Sequence, residues 1–148
     1  MSGTSPSAVL AIAIRTTKNG PMQEIESVEV SKADGLEGDV ASAVHRGITL
    51  LSTDQWAETN QALGTDLPWH TRRANVLLAG GSLQHLIGST VQLGGVKIKV
   101  NAETEPCGLM DKLHPGLREA LVPDCRGGVY GEILEGGMLK VGDTLSVC

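Results

Sequence analysis

The residue best suited to chemistry is Cys107, in the stretch Thr104-Glu105-Pro106-Cys107-Gly108-Leu109-Met110. It stands between an acid–proline pair and a glycine, where an apolar run gives way to a turn. A structural cysteine more often sits inside an apolar element. The thiolate form is both nucleophile and metal ligand, and its use depends on access and on a lowered pKa. Arg46, Arg72, Arg73 or Arg126 would favour that form if folding brought one of them near. The plainer alternative is a half-buried thiol that fills space.

The other donors give weaker patterns. Cys107, His114 and Cys125 could supply three zinc ligands, but structural zinc sites use four ligands in closely spaced pairs. No Cys-x-x-Cys or His-x3-His pair is present, so zinc is not the expected metal. Whether Cys125 faces Cys107 is open at this stage. Cys148 is terminal and expected to be exposed and incidental. The segment His70-Thr71-Arg72-Arg73-Ala74-Asn75 places two arginines and an amide just before an apolar strand. Arginine is the preferred planar donor to phosphate, although a solvated basic patch is the simpler reading of residue type alone. The "LAGGS" turn lacks the second half of a dinucleotide fingerprint. Asp39 and Asp143 each follow a glycine, where a carboxylate commonly bonds backbone within a turn.

These residues need a scaffold, and short strands dominate the pattern. Val9 to Thr16, Gln23 to Val30, His45 to Leu51, the "NVLL" run and "VYGEIL" each read as a strand. "GSTVQLGGVKIKV" and "GGMLKVGDTLSV" each read as strand, glycine turn, strand. Ser52-Thr53-Asp54 offers the N-cap of a short helix that ends at Gly64. "SLQHLIG", with Ser82 as cap, and "HPGLREAL" are short helical segments. The expectation is a mainly β fold: a compact β-barrel of short, mostly antiparallel strands with two or three short helices. Residues 1–7 read as a loose tail and residues 8–148 as one domain.

Composition narrows the function. The chain has two Trp, one Tyr, no Phe and a formal net charge of −5. A nucleic-acid binder needs a basic footprint and stacking platforms, so none is expected here. Neither a membrane span nor a basic membrane-surface helix is apparent. The start resembles no signal peptide, and three widely spaced cysteines suit a reducing compartment. The expected location is the cytoplasm.

Taken in order, "GLEGDV", "HRGITLLSTDQW", "RRANVLLAGGSLQHLIGSTVQLGGVKIKV", "EPCGLM" and "GGVYGEILEGGMLKVGDTLSV" resemble the MOSC family. That family is named for the C-terminal domain of molybdenum cofactor sulfurases. The resemblance runs from about Val9 to the end and suggests a small stand-alone member. It implies that Cys107 is the functional thiol, either as the protein ligand of molybdenum or as a sulfur carrier. It also implies a molybdopterin-type cofactor. Arg73 and Asn75 match the family's Arg-x-Asn segment and Asp39 its Gly-Asp, which makes them cofactor-binding candidates. Here "VASAVHRG" follows Gly-Asp, where the family often has a basic residue and glycine; His45-Arg46 is the expected substitute, adding Arg46 to the set.

No pyridoxal-phosphate desulfurase domain is expected within these residues, although the sulfurases carry one. Two activities follow from the resemblance. One is reduction of N-hydroxylated small molecules with electrons from a separate reductase. The other is transfer of sulfur as a Cys107 persulfide, supplied by a separate cysteine desulfurase. A non-enzymatic binding module is the third reading.

Overall fold

The computed structural model describes residues 8–17, 20–40, 47–106 and 108–148. The expected tail, Arg46 with its neighbour His45, and Cys107 lie outside the described residues. The strands are β1 (Val9–Arg15), β2 (Met22–Ile25), β3 (Ser27–Ser31), β4 (Gly35–Leu36), β5 (Ile48–Ser52), β6 (Val76–Leu78), β7 (Thr90–Leu93), β8 (Val96–Glu103), β9 (Val129–Glu135), β10 (Gly137–Lys140) and β11 (Leu145–Val147). The α-helices are α1 (Thr53–Leu63), α2 (Gly108–Leu113) and α3 (Leu117–Leu121). The fold is mainly β with few helices, as the strand pattern implies.

One sheet has eight strands in the order β11-β7-β8-β9-β5-β6-β1-β2, and a second has three in the order β10-β3-β4. All pairings are antiparallel except that of β5 with β6. The large sheet curls far enough for β1 and β11 to meet at their starts. Ala8 bridges Thr144, the Val9 amide donates to the Asp143 carbonyl at 2.8 Å, and the Gly142 amide donates to the Val9 carbonyl at 2.8 Å. No continuous ladder follows, so the sheets are not closed into the expected barrel.

Two apolar clusters hold this arrangement. The larger lies inside the curl and includes Ile12, Ile14, Ile48, Leu50, Val76, Leu78, Ile98 and Val129. The smaller lies beneath the helices, where Trp56, Met110, Leu117 and Leu121 pack with Ala13 and Leu51. β5 is buried at every position. That explains its unbroken apolar run, since a strand covered on both faces has no reason to alternate.

Three elements differ from the sequence expectation. Gln23 to Val30 divides at Glu26 into β2 and β3, which join different sheets. Successive strand residues face opposite ways, so Ile25 cannot share a face with Val28 and Val30 in one regular strand. "GGMLKVGDTLSV" does form two strands, but β10 pairs with β3 and β11 with β7. Its expected glycine turn becomes a crossing between sheets. Finally, α2 begins directly after Cys107, where the sequence reads only as a loop. The helix expected after Ser52 forms as read: the Ser52 hydroxyl accepts from the Gln55 amide, and Gly64 closes the helix in the left-handed conformation.

Candidate functional site

Asp39 follows β4 and turns its carboxylate toward the end of β1. Oδ1 accepts from the Arg15 backbone amide at 2.7 Å and from Arg15 Nε at 3.2 Å, and Oδ2 accepts from Arg15 Nη2 at 3.0 Å. The carboxylate side chain is only 6% exposed. Its protein partner is therefore an arginine that the sequence reading passed over. A charged residue at the end of the apolar run "VLAIAIR" was the available signal.

Asn75 lies behind this pair, 1% exposed. Its Nδ2 donates to the Ala13 carbonyl at 3.2 Å and to Asp39 Oδ2 at 3.4 Å. Its Oδ1 accepts from the Thr49 amide and hydroxyl, each at 3.1 Å. An amide side chain offers two donors and two acceptor lone pairs, so every one of them is used inside the protein. Asn75 ties β1 to β5 and steadies Asp39.

Arg73 is reached through a short 3-10 turn, Trp69–Arg72, which it closes in the left-handed conformation at φ 66°. That conformation is uncommon for a residue with a β-carbon. It lets adjacent arginines serve different regions. Arg73 donates through Nη1 to the Gly20 carbonyl, next to the Arg15 and Asp39 region. Its pKa is lowered by burial and by Arg15, while Asp39 opposes the shift. Arg15 is paired with Asp39, while Arg73 is bonded to a carbonyl and feels the charges of both.

Arg72 goes the other way, into the interior, and is 6% exposed. Nε donates to the Gly127 carbonyl at 3.1 Å, Nη2 to the Thr104 carbonyl at 2.9 Å, and Nη1 lies 3.6 Å from Met110 Sδ. Thr104 and Met110 stand three residues before and three after Cys107 in sequence. The Thr104 hydroxyl is buried without a hydrogen-bond partner among the described residues.

Cys125 is buried, in a turn where it and Asp124 both have positive φ, 61° and 54°. Its Sγ lies 3.5 Å from the Gly128 carbonyl. Burial, and then the charge of Glu103, push its thiol up to about 11. Such a thiol stays protonated at neutral pH and is a poor nucleophile or metal ligand. Among the described residues, no group of three His, Cys, Asp or Glu side chains is placed to hold a metal ion. Arg126 follows Cys125 and donates to the Ala120 carbonyl at 3.1 Å. Asp143 holds its own turn, accepting from the Lys140 amide at 2.8 Å, and Cys148 is exposed.

Arg15, Asp39, Arg73 and Asn75 therefore meet at one end of β1, while Arg72 and Thr104 frame the approach to the cysteine segment. A model of the MOSC domain matches residues 37–146, a span containing Asp39, Arg73, Asn75 and Cys107. The chain belongs to the MOSC family. That family is associated with molybdenum cofactor sulfurase function. Among solved structures, this MOSC chain is similar to the YuaD protein of Bacillus subtilis, with a TM-score of 0.82 and 19% identity over 99% of this chain and 97% of that one. It is also similar to YiiM of Geobacillus stearothermophilus, with a TM-score of 0.72 and 17% identity over 99% of this chain and 75% of that one. YiiM of Escherichia coli gives a TM-score of 0.73 and 12% identity over 97% and 70%. At such identities the likeness is one of fold. No curated protein sequence matches this MOSC chain. No helix among the described residues is long and apolar enough to cross a membrane.

Proposed function

We propose that this MOSC protein binds the molybdenum cofactor, with Cys107 as the protein ligand of the metal. It would act on N-hydroxylated small molecules in the cytoplasm, with a separate reductase as electron donor. The observation that carries this reading is the cluster of Arg15, Arg73 and Asp39. Arg73, bonded to a carbonyl rather than to a carboxylate, and Arg15, paired with Asp39, suit the phosphate of a pterin cofactor, which would supply further counter-charge. The buried Thr104 hydroxyl, on the Arg72 side, has no hydrogen-bond partner among the described residues and is a second candidate contact. The donors present therefore fit the cofactor.

In this reading Arg73 is the phosphate donor and Arg15 shares the charge. Asp39 fixes the direction of the Arg15 fork, and Asn75 fixes Asp39 from within the sheet. Arg46, next to the same loop in sequence, is assigned to the anion as well. The soft thiolate of Cys107 suits a soft metal centre. When bound, the cofactor supplies two-electron chemistry, by which an N–OH group with two protons becomes N–H and water.

The test is molybdenum analysis and fluorescence of the oxidised pterin on protein freshly purified from a host that makes the cofactor. Stoichiometric metal and pterin are expected, lost in Cys107→Ala and retained in Cys148→Ala. Parent protein with neither molybdenum nor pterin would overturn the reading, and a persulfide on Cys107 would then assign the chain to sulfur transfer.

A further inference from the structure

The β8–β9 ladder ends at the pair Glu103 and Val129. One more backbone bond follows, from the Thr104 amide to the Gly128 carbonyl at 2.9 Å. Beyond it the chains diverge, one toward Cys107 and the other back into the turn that holds Cys125. The carbonyls of Thr104 and Gly127 face this opening, and Arg72 reaches both from the Trp69–Arg72 turn. Its third arm touches Met110 in α2.

A buried carbonyl without a donor is costly, so one planar fork replaces the ladder where the ladder stops. The spacing is tight: a β-carbon added at Gly127 would stand 2.5 Å from the Thr104 carbonyl oxygen and 3.3 Å from Arg72 Nη2. The strained turn is pinned from its other side as well, because Gln55 Nε2 donates to the Asp124 carbonyl.

We infer that Arg72 is a positioning residue, which fixes both ends of the segment bearing Cys107 through Thr104 and Met110. It does so without itself contacting the cofactor. The inference rests on Cys107 being the working thiol, but its test does not need the cofactor. Lysine in place of Arg72 keeps the charge and loses the fork; methionine keeps comparable length and loses every donor.

Amide hydrogen exchange would be compared in the parent, Arg72→Lys and Arg72→Met, all without cofactor. Both variants are expected to raise exchange in the peptide spanning Thr104 to Met110 by about ten-fold, the scale of losing a charge-assisted bond. Protection of β5 and β6 should stay at the parent level in Arg72→Lys. Unchanged exchange in the Thr104–Met110 peptide of Arg72→Met would overturn the inference. So would a rise spread equally over β5 and β6 in Arg72→Lys, since Arg72 would then be a general core residue. Molybdenum loss on Cys107→Ala tests the function separately, so failure of one does not carry the other.

Discussion

Thr49 and Asn75 are joined across the parallel pair β5 and β6 by reciprocal hydrogen bonds. The Thr49 hydroxyl donates to Asn75 Oδ1 at 3.1 Å and accepts from the Asn75 amide at 2.9 Å. The same Asn75 carries Ala13 and Asp39 on its Nδ2. Replacing it by alanine strands the Thr49 amide and the Ala13 carbonyl in a dry interior. Asn75→Ala should cost about 3 kcal/mol of stability, read from urea unfolding midpoints at a constant slope. Asn75→Asp should be no better at neutral pH, because it sets a second carboxylate beside that of Asp39. Asn75→Asp matching the parent would mean that Nδ2 contributes little to the fold.

The cationic cluster leads to an affinity prediction. Arg73 is partly desolvated and repelled by Arg15, so an anion should relieve both costs. Arg73→Gln should weaken binding of a pterin phosphate by about ten-fold or more. Added salt should weaken binding to the parent more than to the variant. Titration calorimetry at two ionic strengths would read both effects. Equal affinity in parent and variant would remove Arg73 from the site.

Cys125 gives a pH dependence with a definite sign. Its thiol is raised from 9.0 to about 11 in the folded chain. Below pH 9 both folded and unfolded chains keep the proton, so the group adds no slope. Between about 9 and 11 the unfolded chain loses its proton first, and stability falls as pH rises. The loss reaches about 2 to 3 kcal/mol above that window. Comparing urea unfolding at pH 8 and pH 10.5 in the parent and in Cys125→Ala isolates the term. The variant should show the smaller drop, and equal drops would count against the raised value.

Much of the scaffold could be read in the sequence because it depends on local pattern. The Ser52 cap, the left-handed Gly64 and the β7–β8 hairpin each follow from neighbouring residues. The errors arise where distant partners decide. Nothing in "GGMLKVGDTLSV" says that β10 will leave β11 for β3, since that choice lies in the packing of two sheets. Arg73, Asn75 and Asp39 are candidates by resemblance, and the contacts that each makes are not legible in the sequence. Asn75 looks like a ligand group in sequence, whereas burial at the β5–β6 junction commits it to the sheet. Arg15 was hidden, and Arg72 was named only as a possible charge, for the same reason: the worth of a guanidinium depends on the carbonyls or carboxylate that it meets.

The Thr104 hydroxyl separates ligand binding from folding. It is buried and satisfies nothing among the described residues. Thr104→Val keeps the shape and removes an unsatisfied polar atom, so stability should hold or rise by about 1 kcal/mol. Molybdenum and pterin content should fall in the same variant if the hydroxyl serves the cofactor. Thr104→Val with unchanged cofactor content would confine the hydroxyl to the protein interior.

Two glycines on either side of the Arg72 clamp should respond oppositely to alanine. At Gly127 the new methyl would meet the Thr104 carbonyl at 2.5 Å and the Arg72 guanidinium at 3.3 Å. Neither can move without breaking the bond between them. At Gly108, the first residue of α2, a β-carbon meets nothing within 4 Å among the described residues, and the backbone there is not in the left-handed region. Gly127→Ala should therefore lose about 1 to 3 kcal/mol. Gly108→Ala should be neutral or gain up to about 1 kcal/mol from the reduced entropy of the unfolded chain. Thermal unfolding of the two variants side by side would show the contrast. A tolerated Gly127→Ala would mean that the β8 end and the Cys125 turn are more loosely joined than the Arg72 bonds require.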